Sequence, residues 1–205
     1  MMEIIEFFKS KKHSVCKVDN KGCICVLKKY TDKHALIKEN DILNFLVQKK
    51  LNVPEVLMKS DRQLYLEYIN GITLMDYFTE LEIDLSEGYE NFLNRFAEFH
   101  KSLYCFLGEY KENMILGDMN FRNYIIMGRK ISRIDFEDCV AGNIETDIGK
   151  MAAFALTYDP SFTNWKKKFV ERMIDVFSGN LNLSKEKIRT EMKKELENIK
   201  IRRKW

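Results

Sequence analysis

A chain of 205 residues, 45% hydrophobic and 32% charged, is too apolar to be disordered and long enough for one large domain or two small lobes sharing a cleft. A formal net charge of +3 gives no case for nucleic acid as a partner, and no apolar run approaches the roughly 20 residues that span a bilayer. Five cysteines, with no C-x-x-C pair and no histidine cluster, read as reduced thiols of a cytoplasmic protein, and the acidic start Met1-Met2-Glu3-Ile4-Ile5-Glu6 does not read as a signal peptide.

Residues 3–30 read as a small β region. Ile4 to Phe8 is a first strand candidate, with a helix as the alternative. Ser14 to Val18 and Cys23 to Lys29 are β-prone runs flanking Asp19-Asn20-Lys21-Gly22, a hairpin turn. Lys9 to Ser14 is a basic turn without glycine. Alternation puts Lys28 and Lys29 on opposite faces of their strand, so only one can point inward. Thr31 or Asp32 caps a helix running to about Lys49, on which Glu39, Leu43 and Leu46 share a face. Asn52 to Leu57 ends that helix with Pro54 and starts another strand, and Arg62 to Ile69 is the next, broken at Asn70-Gly71. Leu74 to Leu81 makes a short helix, followed by an acidic connector (Glu80, Glu82, Asp84, Glu87).

The spacing from Ser86 to Leu107 predicts a long helix whose stripe of Phe92, Phe96, Phe99, Leu103 and Phe106 is core, with His100 as a satisfied buried histidine and Gly108 as the stop. A helix over about 147–157 follows Gly142 to Gly149. Asp159-Pro160 is expected to begin another, with Phe162, Trp165, Phe169, Met173 and Phe177 on one side and Gly179-Asn180 at its end. Ser184 opens a final helix with Ile188, Met192, Leu196 and Ile199 inward. Its outer face and tail (Lys193, Lys194, Lys200, Arg202, Arg203, Lys204) are basic, which reads as a solvated face.

Between these helices lies Leu116-Gly117-Asp118-Met119-Asn120-Phe121-Arg122-Asn123, then two β-prone runs and Ile134-Asp135-Phe136-Glu137. Phosphoryl transfer needs a carboxylate to orient an attacking hydroxyl and take its proton. It also needs an amide oxygen and a second carboxylate to hold magnesium on the nucleotide phosphates. The order D-x-x-x-x-N, strand, turn, strand, D-F supplies those groups, with Asp118 as the base and Asn123 and Asp135 as Mg²⁺ ligands. Glu137 is placed either to support the metal or to form a salt bridge.

These segments resemble the aminoglycoside phosphotransferase and choline kinase branch of the protein-kinase-like superfamily, which writes them H-G-D-x-x-x-x-N and I-D-F-E/D. The resemblance extends to a "v-l-K" strand ending at Lys28, to E-x-x-x-L-x-x-L from Glu39, and to "l-E-y-i-x-G-x-x-L" from Leu66 to Leu74. It implies an α+β, two-lobed fold: residues 1–69 as a small antiparallel sheet with one helix, residues 70–205 as a mainly helical lobe carrying the catalytic and metal-binding loops. It implies that Lys28, fixed by Glu39, contacts the nucleotide phosphates, and that backbone at Glu67, Tyr68 and Ile69 meets adenine. It also implies that Asp147 braces the catalytic loop, where a plain helix N-cap would put the same residue. The activity implied is ATP- and Mg²⁺-dependent transfer of the γ-phosphate to a hydroxyl of a small molecule, with GTP as an alternative nucleotide. Leu116 replaces the family's histidine and the turn after the first strand lacks glycine. A nucleotide- or partner-binding module without turnover, and a small atypical protein kinase or ATPase, therefore stand as alternatives.

Overall fold

The Asp19-Asn20-Lys21-Gly22 turn forms as its residue types require. Lys21 and Gly22 take φ of +57° and +87°, and the Asp19 carboxylate accepts the Gly22 N–H at 2.6 Å. It joins Ser14–Asn20 (β2) to Cys23–Lys29 (β3); Met2–Phe8 (β1) pairs antiparallel on the far side of β2. With Val56–Lys59 (β4) and Gln63–Glu67 (β5) these make a five-stranded antiparallel sheet in the order β1-β2-β3-β5-β4. Alternation buries Cys16, Val18, Cys25 and Leu27 together; Cys23 shares their face but lies at the strand end beside the turn and is exposed. The edge strand β1 exposes Ile4, Ile5 and Phe7.

Helix α1, Lys33–Gln48, starts where the Asp32 carboxylate accepts the His34 N–H at 2.9 Å. Its buried stripe is Leu36, Ile42, Leu43 and Leu46, interrupted by the carboxylate of Glu39. A glutamate at a core position must find a cation or lose its charge.

The computed structural model describes residues 2–10, 12–85 and 88–203. Lys11 of the basic turn, Ser86 at the expected helix start, Glu87 of the acidic connector and Lys204 of the tail lie outside them. The chain divides into two compact units. One takes the chain up to Gly71 together with Met127–Asp138; the other takes Ile72–Ile126 and the chain from Cys139 on. A single cut near residue 70 therefore does not capture the return of 127–138 to the sheet unit.

In the helical unit, Ile72–Thr73 (β6) leads into α2, Leu74–Ile83, and then α3, Glu90–Tyr110. Helix α3 runs through Gly108 rather than stopping there, because a glycine inside a helix costs only about 1 kcal/mol and the buried Leu107 keeps the last turn packed. After Met114–Ile115 (β7) and one 3₁₀ turn at Phe121–Asn123 comes Tyr124–Met127 (β8), whose Ile126 and Ile125 pair with Ile72 and Thr73. Lys130–Arg133 (β9) belongs to the sheet unit, where the Arg133 N–H donates to Asn52 O at 3.3 Å. Val140–Ala141 (β10) pairs with β7.

Helix α4, Ile144–Thr157, begins three residues before the expected start, with Asn143 rather than Asp147 at its cap. Asp159-Pro160 does not begin a helix. The peptide is cis, and α5, Asn164–Leu181, starts at Thr163, whose hydroxyl accepts the Lys166 N–H. The helix passes Gly179 and stops at Asn182, which takes the left-handed conformation (φ +55°). Helix α6, Lys185–Arg203, packs on α4 through Gly149: a Cβ there would sit 2.6 Å from Glu191 Cβ, so no larger residue fits. Much of its positive charge is answered locally, by Glu191–Lys194 at 2.5 Å, Glu197–Lys200 at 2.7 Å and Glu195–Arg202 at 2.5 Å.

The core of this unit is aromatic. Phe78 meets Phe121, Trp165 and Phe169 at centroid separations of 5.1, 5.2 and 5.0 Å. His100 is the satisfied core histidine expected from sequence. Its Nδ1 lies 2.8 Å from Phe96 O, which can only accept, so Nδ1 carries a proton, and Nε2 lies 2.9 Å from the Tyr124 hydroxyl. Lys166 is buried too, its ammonium donating to Tyr158 O (3.0 Å) and Pro160 O (2.6 Å) and pairing with Glu82 (2.8 Å).

Candidate functional site

Three carboxylates of the sheet unit converge on one ammonium, that of Lys28. Strand β3 delivers Lys28 inward and leaves Lys29 exposed, resolving the alternation in favour of Lys28. Its Nζ lies 2.7 Å from Glu39 Oε2, 3.1 Å from Asp135 Oδ1 and 3.0 Å from Glu137 Oε2. Glu39 and Asp135 accept hydrogen bonds from the ammonium, and Glu137 stands at ion-pair distance from it. The oxygens of Glu39, Asp135 and Glu137 gather within 4.8 Å of one another around it.

The electrostatics follow from this crowding. Burial alone would pull the Lys28 ammonium down, but the carboxylates of Glu39, Asp135 and Glu137 outweigh it and hold the group above its ordinary range. Glu39 is fully buried, and burial pushes its carboxyl up to about 7; Lys28 and the Tyr30 hydroxyl, which donates to Oε2 at 2.7 Å, offset this only in part. Its other oxygen is buried without a hydrogen-bond partner among the described residues. For Asp135 the balance reverses. Burial would raise it, but the charges of Lys28 and Arg133 hold it below the usual carboxylate range.

Glu137 is a second junction. Besides Lys28, its carboxylate meets His13 Nε2 at 2.6 Å and Lys12 Nζ at 3.3 Å, and Lys12 reaches Asp138 at 2.6 Å. The glycine-free turn between β1 and β2 is thus not merely solvated: His13 is 4% exposed and stands against the Tyr30 ring at 4.7 Å. Of the two readings for Glu137, the salt bridge is the one observed. A cavity of about 570 Å³ is lined by Lys12, His13, His34, Lys38 and Glu137 among others, but not by Lys28.

At the other end of the sheet unit, β5 closes with Glu67, whose N–H donates to Glu55 O at 2.9 Å. The Tyr68 ring lies under Lys17 Nζ at 3.9 Å, and Ile69 O accepts the Gly71 N–H at 3.1 Å.

The helical unit holds the D-x-x-x-x-N loop. Gly117 has φ of +78°, a conformation in which a side chain would be strained, which accounts for the glycine before Asp118. The Asp147 carboxylate accepts from Leu116 N–H (2.7 Å), Gly117 N–H (3.0 Å) and the Tyr104 hydroxyl (3.0 Å), while Lys150 donates to Gly117 O at 2.9 Å. Asp147 therefore acts on the loop backbone and not as a helix cap. The side chain of Leu116, standing where the resembled family has histidine, is buried. Asp118 accepts the Asn120 N–H and the Asn123 side-chain amide, both at 3.0 Å. The 3₁₀ turn at Phe121–Asn123 brings Asn123 back toward Asp118 for the second contact. Arg122 is exposed.

The structure thus groups Lys28, Glu39 and Asp135 in one unit and Asp118 and Asn123 in the other. Lys12, His13 and Tyr30 belong to the first group as well. Sequence reasoning gave them no such place, since their partners lie up to 126 positions away.

No protein-family model matches the chain, and no curated protein matches it. Among solved structures it is similar to the Rio2 kinase of Chaetomium thermophilum, determined as an ADP/Mg²⁺-phosphoaspartate complex, with a TM-score of 0.53 and 16% identity over 88% of this chain. The match spans 57% of that kinase chain. The fold is accordingly protein-kinase-like, α+β with an antiparallel N-terminal sheet and a helical C-terminal part. The likeness does not reach the aminoglycoside phosphotransferase and choline kinase branch. No described helix is long and apolar enough to cross a membrane.

Proposed function

We propose that this protein is a nucleotide-dependent phosphotransferase acting on a hydroxyl acceptor. The observation that carries the reading is the buried Lys28–Glu39 pair with Asp135 on the same ammonium. A kinase-like fold uses such a lysine to hold nucleotide phosphates and such an aspartate to hold metal. In this reading Asp118 orients the acceptor hydroxyl and takes its proton. Its carboxylate is kept in place by the Asn123 amide and the Asn120 N–H, and the loop beneath it by Asp147.

Asn123 and Asp135 offer an amide oxygen and an ionised carboxylate, the hard oxygen donors that Mg²⁺ prefers. When bound, the ion neutralises charge on the phosphates of ATP. Backbone around Glu67, Tyr68 and Ile69 takes the adenine edge. The small-molecule acceptor follows the resemblance to aminoglycoside and choline kinases.

The test is Mg²⁺-dependent consumption of ATP, with GTP in parallel, by wild type and Asp118→Asn. Turnover that disappears in the variant while nucleotide binding persists supports the reading. A second reading, a nucleotide-binding module without turnover, is favoured by the glycine-free β1–β2 turn, and tight Mg-ATP binding with no phosphate released to any acceptor, water included, would establish it. Phosphate appearing on protein would instead favour an atypical protein kinase.

A further inference from the structure

Lys28 donates to Glu39 and Asp135 and is ion-paired with Glu137 at 3.0 Å, so a phosphate oxygen that approaches the ammonium has to displace one of these three carboxylates. The three are not held equally. Glu39 is fully buried and fastened by Tyr30 at 2.7 Å. The Glu137 side chain is 6% exposed and enclosed by ion-pair contacts rather than hydrogen bonds, His13 Nε2 at 2.6 Å and Lys12 Nζ at 3.3 Å. The Asp135 side chain is 28% exposed, and besides Lys28 its Oδ1 accepts, among the described residues, a long 3.5 Å contact from the Glu137 N–H. Asp135 is the carboxylate that can leave.

We infer that Glu137 is a positioning residue for nucleotide binding, a second fixed anchor for the Lys28 ammonium beside Glu39, itself secured from the β1–β2 turn by His13. This rests on the phosphotransferase reading above and adds a part to it. Two enclosed carboxylates, one hydrogen-bonded and one ion-paired, locate the ammonium from two directions, so it keeps its aim when Asp135 is released. The glycine-free turn then has a use: it contributes a buried imidazole that fastens the anchor in place of a flexible backbone loop.

The experiment measures Mg-ATP binding by calorimetry and amide hydrogen exchange of residues 12–17 in wild type, Glu137→Gln, His13→Gln, the double variant and Glu137→Asp. Loss of one charge-assisted contact to Lys28 should weaken binding about tenfold in Glu137→Gln. His13→Gln should weaken it through the same anchor, so the double variant is no worse than Glu137→Gln, and Glu137→Asp should recover part of the affinity. Exchange over 12–17 should rise in both single variants.

A Glu137→Gln protein that binds Mg-ATP like wild type, even with a lowered unfolding midpoint, overturns the proposal, as do fully additive effects of the two substitutions. If wild type binds no Mg-nucleotide, the phosphotransferase reading fails instead. The exchange data then judge the anchor separately, and unchanged exchange in Glu137→Gln sinks it.

Discussion

Lys28 and Lys166 are both buried, 6% and 1% exposed, yet they are answered in opposite ways. Lys166 gives its protons to two backbone carbonyls and one carboxylate, so one positive charge meets one negative and the remaining donors meet fixed dipoles. Nothing in that arrangement can move without undoing the turn at Tyr158 and Pro160. Lys28 faces three carboxylates, and further cationic groups, Lys12 beside Glu137 and Arg133 near Asp135, share in answering them. The first arrangement is a strut. The second shares its charges among several groups and is the costlier one to keep in a bare protein.

The sharpest way to break this contrast is Lys28→Met. Nucleotide-dependent turnover should fall by about 10²–10³-fold, as when a group that stabilises transferring charge is removed. Retained turnover with a collapsed unfolding midpoint would make Lys28 a strut like the other. Lys166→Met should do the reverse, lowering stability by about 1–3 kcal/mol in urea titrations because the Tyr158 and Pro160 carbonyls lose their buried donor and the partly buried Glu82 loses its cation, while turnover per folded molecule is unchanged.

A subtler effect comes from Glu39, whose carboxyl lies at about 7 in the folded chain against an ordinary 4.5. The folded state then binds a proton that the unfolded state has released. This contribution to stability is complete below about pH 4.5 and disappears as pH rises through 7. Unfolding midpoints at pH 5 and pH 8 should show the loss in wild type, and Glu39→Gln should lack it. Asp135, shifted downward from 3.8, acts with the opposite sign and only in acid, outside that window. Smallest of all, Lys200→Gln should leave both midpoint and turnover where they were, since its pair with Glu197 is a half-exposed surface contact.

What could be read from the chain was whatever depends on near neighbours. The Asp19–Gly22 hairpin declares itself through turn chemistry. The pairing of Lys28 with Glu39 follows from strand alternation and helix spacing plus a resemblance. The α3 stripe is visible in its period. Boundaries set by tertiary packing were not legible: Gly108 stays helical because Leu107 is buried, and α5 waits for the Thr163 cap. The network around Glu137 was even less accessible. His13 and Lys12 look like part of a solvated basic turn until the fold sets a carboxylate from residue 137 against them. The backbone role of Asp147 needed the structure to separate it from a cap, because both put an aspartate at the same place in the chain.

The sheet unit is assembled from two stretches of chain with 72–126 between them. On the ribosome, β3 and α1 emerge early, so Lys28 and Glu39 can meet while the codons for Asp135 and Glu137 are still unread. The nascent unit therefore holds one acid per ammonium, a balanced and quiet pair, and acquires its further carboxylates only when residues 127–138 return. A polypeptide released after Gly71 would be expected to keep the pair yet have no means of becoming the finished centre.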